Sequence, residues 1–131
     1  MPADAADSVR YAGCRVSECI AGNLVADAYR SFGGSSFGMS NGGEIRNSLQ
    51  AGAITEGDVN QMLPLMSNDR IVVKNASAAV VWEVLTHGIS KLNIADIADG
   101  QTDPDGRFTQ VSGLRFEWYF TASGDPKVKI V

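Results

Sequence analysis

Apolar positions recur along the chain with two periods, and the switches between them divide it into elements. From Ser17 to Arg30, Ile20, Leu24, Val25, Ala28 and Tyr29 fall on one helix face, and Gly33-Gly34 stops the helix. Ser36 to Met39 predicts a short strand feeding an Asn-Gly-Gly turn. Ala51 to Leu65 predicts a second, shorter helix, with Thr55 as its cap, Asp58 in an approximate capping box and Pro64 at its end. Arg70-Ile71-Val72-Val73-Lys74 is a compact β-branched run, which predicts a buried strand. Ser77 caps a third helix carrying Ala78, Val81, Trp82, Leu85 and Ile89 on one face. The polar, acidic stretch from Asn93 to Arg107 predicts a loop. Strands return at Phe108 to Val111 and Leu114 to Thr121, and Ser123-Gly124-Asp125-Pro126 turns the chain into a last strand, Lys127 to Val131. This succession predicts an α+β class, a mixed α/β layered sandwich, without an internal repeat.

A length of 131 residues suits one domain with a real core, and 44% hydrophobic and 20% charged residues are ordinary for a globular protein. The net charge of −4 argues against nucleic acid or an anionic membrane as partner, since both call for a surplus of Lys and Arg on one face. A single nucleotide is a different case, because two or three focused arginines suffice to hold it. No apolar run approaches a membrane span. The acidic start, residues 1–7, reads as a cut end or disordered lead before a domain over 8–131, and leaves secretion of a longer parent open.

Cys14 and Cys19 flank Arg15-Val16-Ser17-Glu18. A short disulfide loop and two free thiols at a helix start are the alternatives; with no other cysteine to pair with, the disulfide is favoured, and with it an oxidising compartment. A metal site is disfavoured, because His87 is the only histidine.

The densest candidate chemistry lies in Met39-Ser40-Asn41-Gly42-Gly43-Glu44-Ile45-Arg46. Adjacent glycines allow amide N–H groups to converge, and an arginine three residues on can bring a forked donor to the same anion. Arg15, just ahead of the first helix, could join Arg46 there; the alternative makes both solvated surface charges. His87 reads as a helix-end residue rather than an acid–base group. Asp99, Asp103 and Asp105 fail the spacing of a calcium loop. Phe116, Trp118 and Phe120 alternate as a core face does, although a stacking surface for a base is conceivable. There is no nucleophile elbow, Walker-type loop or zinc-protease motif, so no catalytic or metal-ligating residue is assigned.

Several ordered blocks resemble one family. Cys14-Arg15-Val16-Ser17-Glu18-Cys19, followed by Gly22-Asn23-Leu24-Val25-Ala26-Asp27-Ala28, resembles the opening of the C-terminal domain of the 5′-nucleotidase / UDP-sugar hydrolase family. Ser40-Asn41-Gly42-Gly43-Glu44-Ile45-Arg46 is similar to its Asn-Gly-Gly-x-Ile-Arg motif, Ala51-Gly52-Ala53-Ile54-Thr55 and Leu63-Pro64 follow in order, and Phe108-Thr109-Gln110-Val111-Ser112-Gly113-Leu114 resembles its Phe-x-Gln-Val-Ser-Gly-Leu block.

The resemblance implies a substrate-recognition domain that partners a metallophosphoesterase domain holding two divalent metals, zinc or manganese, and hydrolysing nucleoside monophosphates or related nucleotides. It implies that Arg15 and Arg46 meet the phosphate or ribose end, that Asn41 bonds the base edge, that Gly42 and Gly43 allow close approach, and that Cys14–Cys19 is the disulfide of extracellular, cell-surface or periplasmic members. Two departures stand out. Leu65 occupies the position of a base-stacking phenylalanine, and the family's Gly-Gly-Asp-Gly-[Phe/Tyr] segment, with its second aromatic and ribose-holding aspartate, lies beyond this sequence. The expectation is therefore an incomplete recognition domain in nucleotide catabolism, not itself a metal-dependent phosphatase. The alternatives are a stand-alone binding module that dimerises, and a small hydrolase with a new site around Arg46 or His87.

Overall fold

The computed structural model describes residues 13–64, 70–93 and 105–130. After a single helical turn at 13–16 come helix α1 (Ile20–Gly33), strand β1 (Gly38–Asn41), a 3-10 turn (Gly42–Glu44), helix α2 (Glu56–Met62), helix α3 (Ala78–Ile89) and strands β2 (Thr109–Ser112), β3 (Phe116–Phe120) and β4 (Pro126–Ile130). The class is α+β, as expected.

Two antiparallel pairs make up the described sheets. β1 pairs with β2, Met39 opposite Val111 and Asn41 opposite Thr109, while β3 pairs with β4, Trp118 opposite Val128. The β3–β4 hairpin turns at Gly124, whose φ of 85° favours glycine, and the Thr121 amide closes the loop on the Asp125 carbonyl at 2.9 Å.

Two apolar clusters hold these elements. In one, Leu85, Ile89 and Leu92 meet Val16, Phe108 and Val128, with Phe116, Trp118 and Phe120 packed against them. Trp118 meets Phe108 and Phe120 edge-on, at centroid distances of 6.2 and 5.4 Å, so the alternating aromatics form a core face rather than a stacking surface. In the other, Cys14, Val25, Ile45 and Met62 join α1, the glycine turn and α2.

Several boundaries and faces differ from the sequence expectation for local reasons. The first helix starts at Ile20, because Cys19 is extended and caps it through its sulfur, which accepts the Gly22 N–H at 3.1 Å. Its buried side is Gly22, Val25 and Ala26, small residues that let α1 lie close on β1 and β2; the ridge that begins at Ile20, 90% exposed, and continues through Leu24 faces outward. The second helix begins at Glu56 rather than Ala51, since Gly52 adopts φ 130° and Thr55 is an extended cap. Thr55 and Asp58 form a full capping box, and the hydrogen bond from the Thr55 side chain holds the Asp58 carboxyl below its ordinary range. α3 matches its expected span and Ser77 cap, but Trp82 is more than a third exposed and lies off the core.

The largest correction concerns Arg70–Lys74. It pairs in neither described sheet, and Ile71, Val72 and Val73 are all exposed, Val72 by 67%. β-branched sequence favours extended backbone but burial requires a neighbouring strand, and none of the described strands pairs with this segment.

Candidate functional site

The site is assembled around a disulfide. Cys14 and Cys19 are bonded, with Cα atoms 5.1 Å apart, closing the loop ahead of α1. Gln110 of β2, 1% exposed, serves that loop: its Nε2 donates to the carbonyls of Cys14 at 2.8 Å and Ser17 at 2.7 Å, and its Oε1 accepts the Cys19 N–H at 3.1 Å. A Cβ at Gly22 would strike the Gln110 side chain. Sequence reading missed this staple, although its glutamine sits inside the quoted Gln-Val-Ser-Gly block. One turn further, the buried Ser112 hydroxyl donates to the Asp27 carboxylate and ties β2 to α1.

The glycine turn sits against this loop. The Gly42 N–H donates to the Phe108 carbonyl at 2.8 Å and the Gly43 N–H to the Gly106 carbonyl at 2.7 Å. The expectation that these amides converge on an anion is therefore corrected: both are spent on protein carbonyls. Neither glycine has a positive φ. They are needed for proximity, since a Cβ at Gly42 would collide with the Cys14 carbonyl and one at Gly43 would lie 3.0 Å from the Gly106 oxygen.

The two arginines fall in different environments. Arg15 is only 8% exposed and packs behind the turn, its Cα against Gly42 and its guanidinium against Gly106, which corrects the reading of it as a solvated charge. Arg46 is exposed, and its N–H donates to the Met62 carbonyl at 2.8 Å. Leu65, Asp99 and Asp103 lie outside the described residues. Asp105 pairs with Arg107, whose guanidinium pulls the Asp105 carboxyl down while the carboxylate raises Arg107 in turn. His87 is exposed at the end of α3, where its carbonyl accepts the Ser90 hydroxyl at 2.7 Å.

Beside the turn opens a cleft of about 900 Å³. One wall runs from Gly34 along β1 to Asn41 and Glu44, and the other is the extended segment Arg70–Ala76. Phe37, Met39, Ile71 and Val73 supply apolar surface; Asn41, Glu44, Arg70 and Lys74 supply polar groups. Of the residues expected at a binding site, Asn41 lines this cleft, whereas Arg15, Gly42, Gly43 and Arg46 are not among its described lining. Glu44, Arg70 and Lys74 were not singled out from sequence. The signal was available for Glu44, which interrupts a motif otherwise made of an amide, glycines and an arginine.

Pockets of this size, part apolar with a few convergent polar groups, suit small polar-edged ligands. Among the described residues no three His, Cys, Asp or Glu side chains gather as metal ligands. No helix among the described residues is long and apolar enough to cross a membrane.

No match to the chain is found among curated proteins or solved structures. A family model does match, over residues 3–131, and the disulfide loop, the glycine turn and the glutamine staple described above all fall within that span. The chain belongs to the family of the 5′-nucleotidase C-terminal domain.

Proposed function

We propose that this domain is the nucleotide-recognition part of a 5′-nucleotidase-type phosphoesterase, acting on nucleoside monophosphates or related nucleotides. Hydrolysis would reside on a separate domain with two divalent metals, zinc or manganese, and the protein would work in an extracellular or periplasmic compartment, in keeping with its disulfide. One observation carries the reading: a single cleft is lined by the Asn41 amide, by the cationic Arg70 and Lys74, and by the apolar Phe37, Met39, Ile71 and Val73. An amide can read a base edge, cations can hold a phosphate, and apolar walls can cover the faces of a base. Arg46, exposed after the turn, remains a candidate for the phosphate or ribose end, and Arg15 supports the turn from behind.

Calorimetry of AMP binding tests this. The chain should bind AMP, and Asn41→Ala should weaken binding about fivefold, the equivalent of one hydrogen bond. Absence of heat with every purine nucleoside monophosphate at millimolar concentration would overturn the reading.

The second reading is a binding module that pairs with another copy of itself. Exposed Ile20 and Phe32 on α1, 90% and 81% accessible, favour it. Light scattering after size exclusion decides: a dimer that dissociates on Ile20→Lys supports it, and a monomer at high micromolar concentration rejects it.

A further inference from the structure

Glu44 is the one acidic side chain in the glycine turn, and it shares the cleft with Asn41. Asn41 precedes the 3-10 turn Gly42–Glu44 as its cap, and side chains three residues apart in 3-10 geometry lie on the same side. The Asn41 side chain makes no capping hydrogen bond, so its amide is not committed to the turn. Glu44 is half-buried and uses one oxygen, Oε2, to accept the Ser40 hydroxyl at 3.1 Å. That bond fixes the carboxylate and leaves Oε1 and the second lone pair of Oε2 for a ligand. The cleft wall therefore offers an amide donor next to an oriented acceptor.

A carboxylate beside a nucleotide site is costly for phosphate and suits a donor-rich part of the ligand, either ribose hydroxyls or a base edge rich in N–H groups; next to the Asn41 amide, which reads the base edge, it meets the base. The guanine edge has that pattern: O6 accepts, while N1–H and the 2-amino group donate side by side. From these features we infer that Glu44 makes the cleft selective for guanine nucleotides, its carboxylate taking N1–H and the 2-amino group while the Asn41 amide donates to O6. Adenine fits worse, since its N1 turns a lone pair toward the carboxylate. Hypoxanthine keeps O6 and N1–H but lacks the amino group, and so loses one of the two carboxylate bonds. Arg70 and Lys74, which belong to a different segment of the cleft lining, supply cationic groups for the phosphate.

This inference rests on the cleft being a nucleotide site, and its test separates the two. Calorimetry with GMP, IMP and AMP should give affinities in that order, GMP about tenfold tighter than AMP. Glu44→Gln can still accept the Ser40 hydroxyl, but its amide presents a donor or a single acceptor to the ligand. It should remove the preference for GMP from both sides, weakening GMP several-fold and tightening AMP as the repulsion on adenine N1 is relieved. Glu44→Gly, which keeps the glycine character of the turn, should do the same, and thermal unfolding of both variants confirms that they fold. AMP binding equal to or tighter than GMP, or a GMP preference that survives both substitutions, overturns the assignment to Glu44 and leaves the nucleotide reading standing. Failure of all three nucleotides to bind overturns both.

Discussion

The glycine turn and the Arg70–Lys74 segment face each other across one cleft, and each contradicts the local signal of its sequence. Asn-Gly-Gly reads as an open loop with amides to spare, yet both glycine N–H groups are bonded to carbonyls of 106 and 108, and the turn is wedged against Cys14. Ile-Val-Val reads as a buried strand, yet it lies exposed along the open side of β1. The first wall is over-determined by backbone contacts from three parts of the chain. The second is exposed and lies in neither described sheet, so the wall that carries Asn41 and Glu44 is expected to be rigid and the wall that carries Ile71 and Val73 adaptable.

Substitutions on the two walls should therefore differ sharply. The largest effect is expected for Gly42→Ala, whose methyl group would have to displace the Cys14 carbonyl; a loss of about 3 kcal/mol in urea unfolding is expected. A loss under about 0.5 kcal/mol would mean that the turn yields easily and that the rigid-wall description is wrong.

Gln110→Leu should follow closely. It strands the carbonyls of Cys14 and Ser17 and the N–H of Cys19 without their partner, for about 2–3 kcal/mol. Amide exchange at Cys19 should accelerate in the same variant, which tells this loss apart from simple repacking.

Replacing both Cys14 and Cys19 by serine removes a short covalent loop. It should cost about 2 kcal/mol, and the same change should follow reduction of the native protein. Reduction without any shift in the unfolding midpoint would assign the loop's rigidity to Gln110 alone.

The smallest effect belongs to the opposite wall. Val72→Ser should change stability by less than about 0.5 kcal/mol, because the side chain is already in water. A cost above about 1.5 kcal/mol would show that the segment is packed as a strand in solution, as its sequence suggests, and the contrast between the walls would collapse.

Local signals were legible wherever a few neighbouring residues settle the outcome. The Thr55–Asp58 capping box, the Ser77 cap, the Gly34 stop with φ 57° and the turn at Gly124 each depend on residues within four positions of one another. The aromatic core face of β3 was readable because period two survives in any half-buried strand. What failed was the choice of face on α1 and the burial of Arg70–Lys74. Both depend on which element arrives from elsewhere in the chain: β2 lies against Gly22 through Gln110, 88 residues away by number, and none of the described strands pairs with Val72.

The sequence by itself determined the family and most of the elements and favoured the disulfide, since these follow from residue identity, short-range spacing and local propensity. Only the tertiary structure decided what the glycine turn does. Its amides are consumed by distant carbonyls, its arginine at position 15 is packed behind it, and Asn41 and Glu44 are the residues of the turn that line the cleft. Hydrogen-bond capacity is readable in a sequence, but whether it is already spent depends on contacts among residues far apart in the chain.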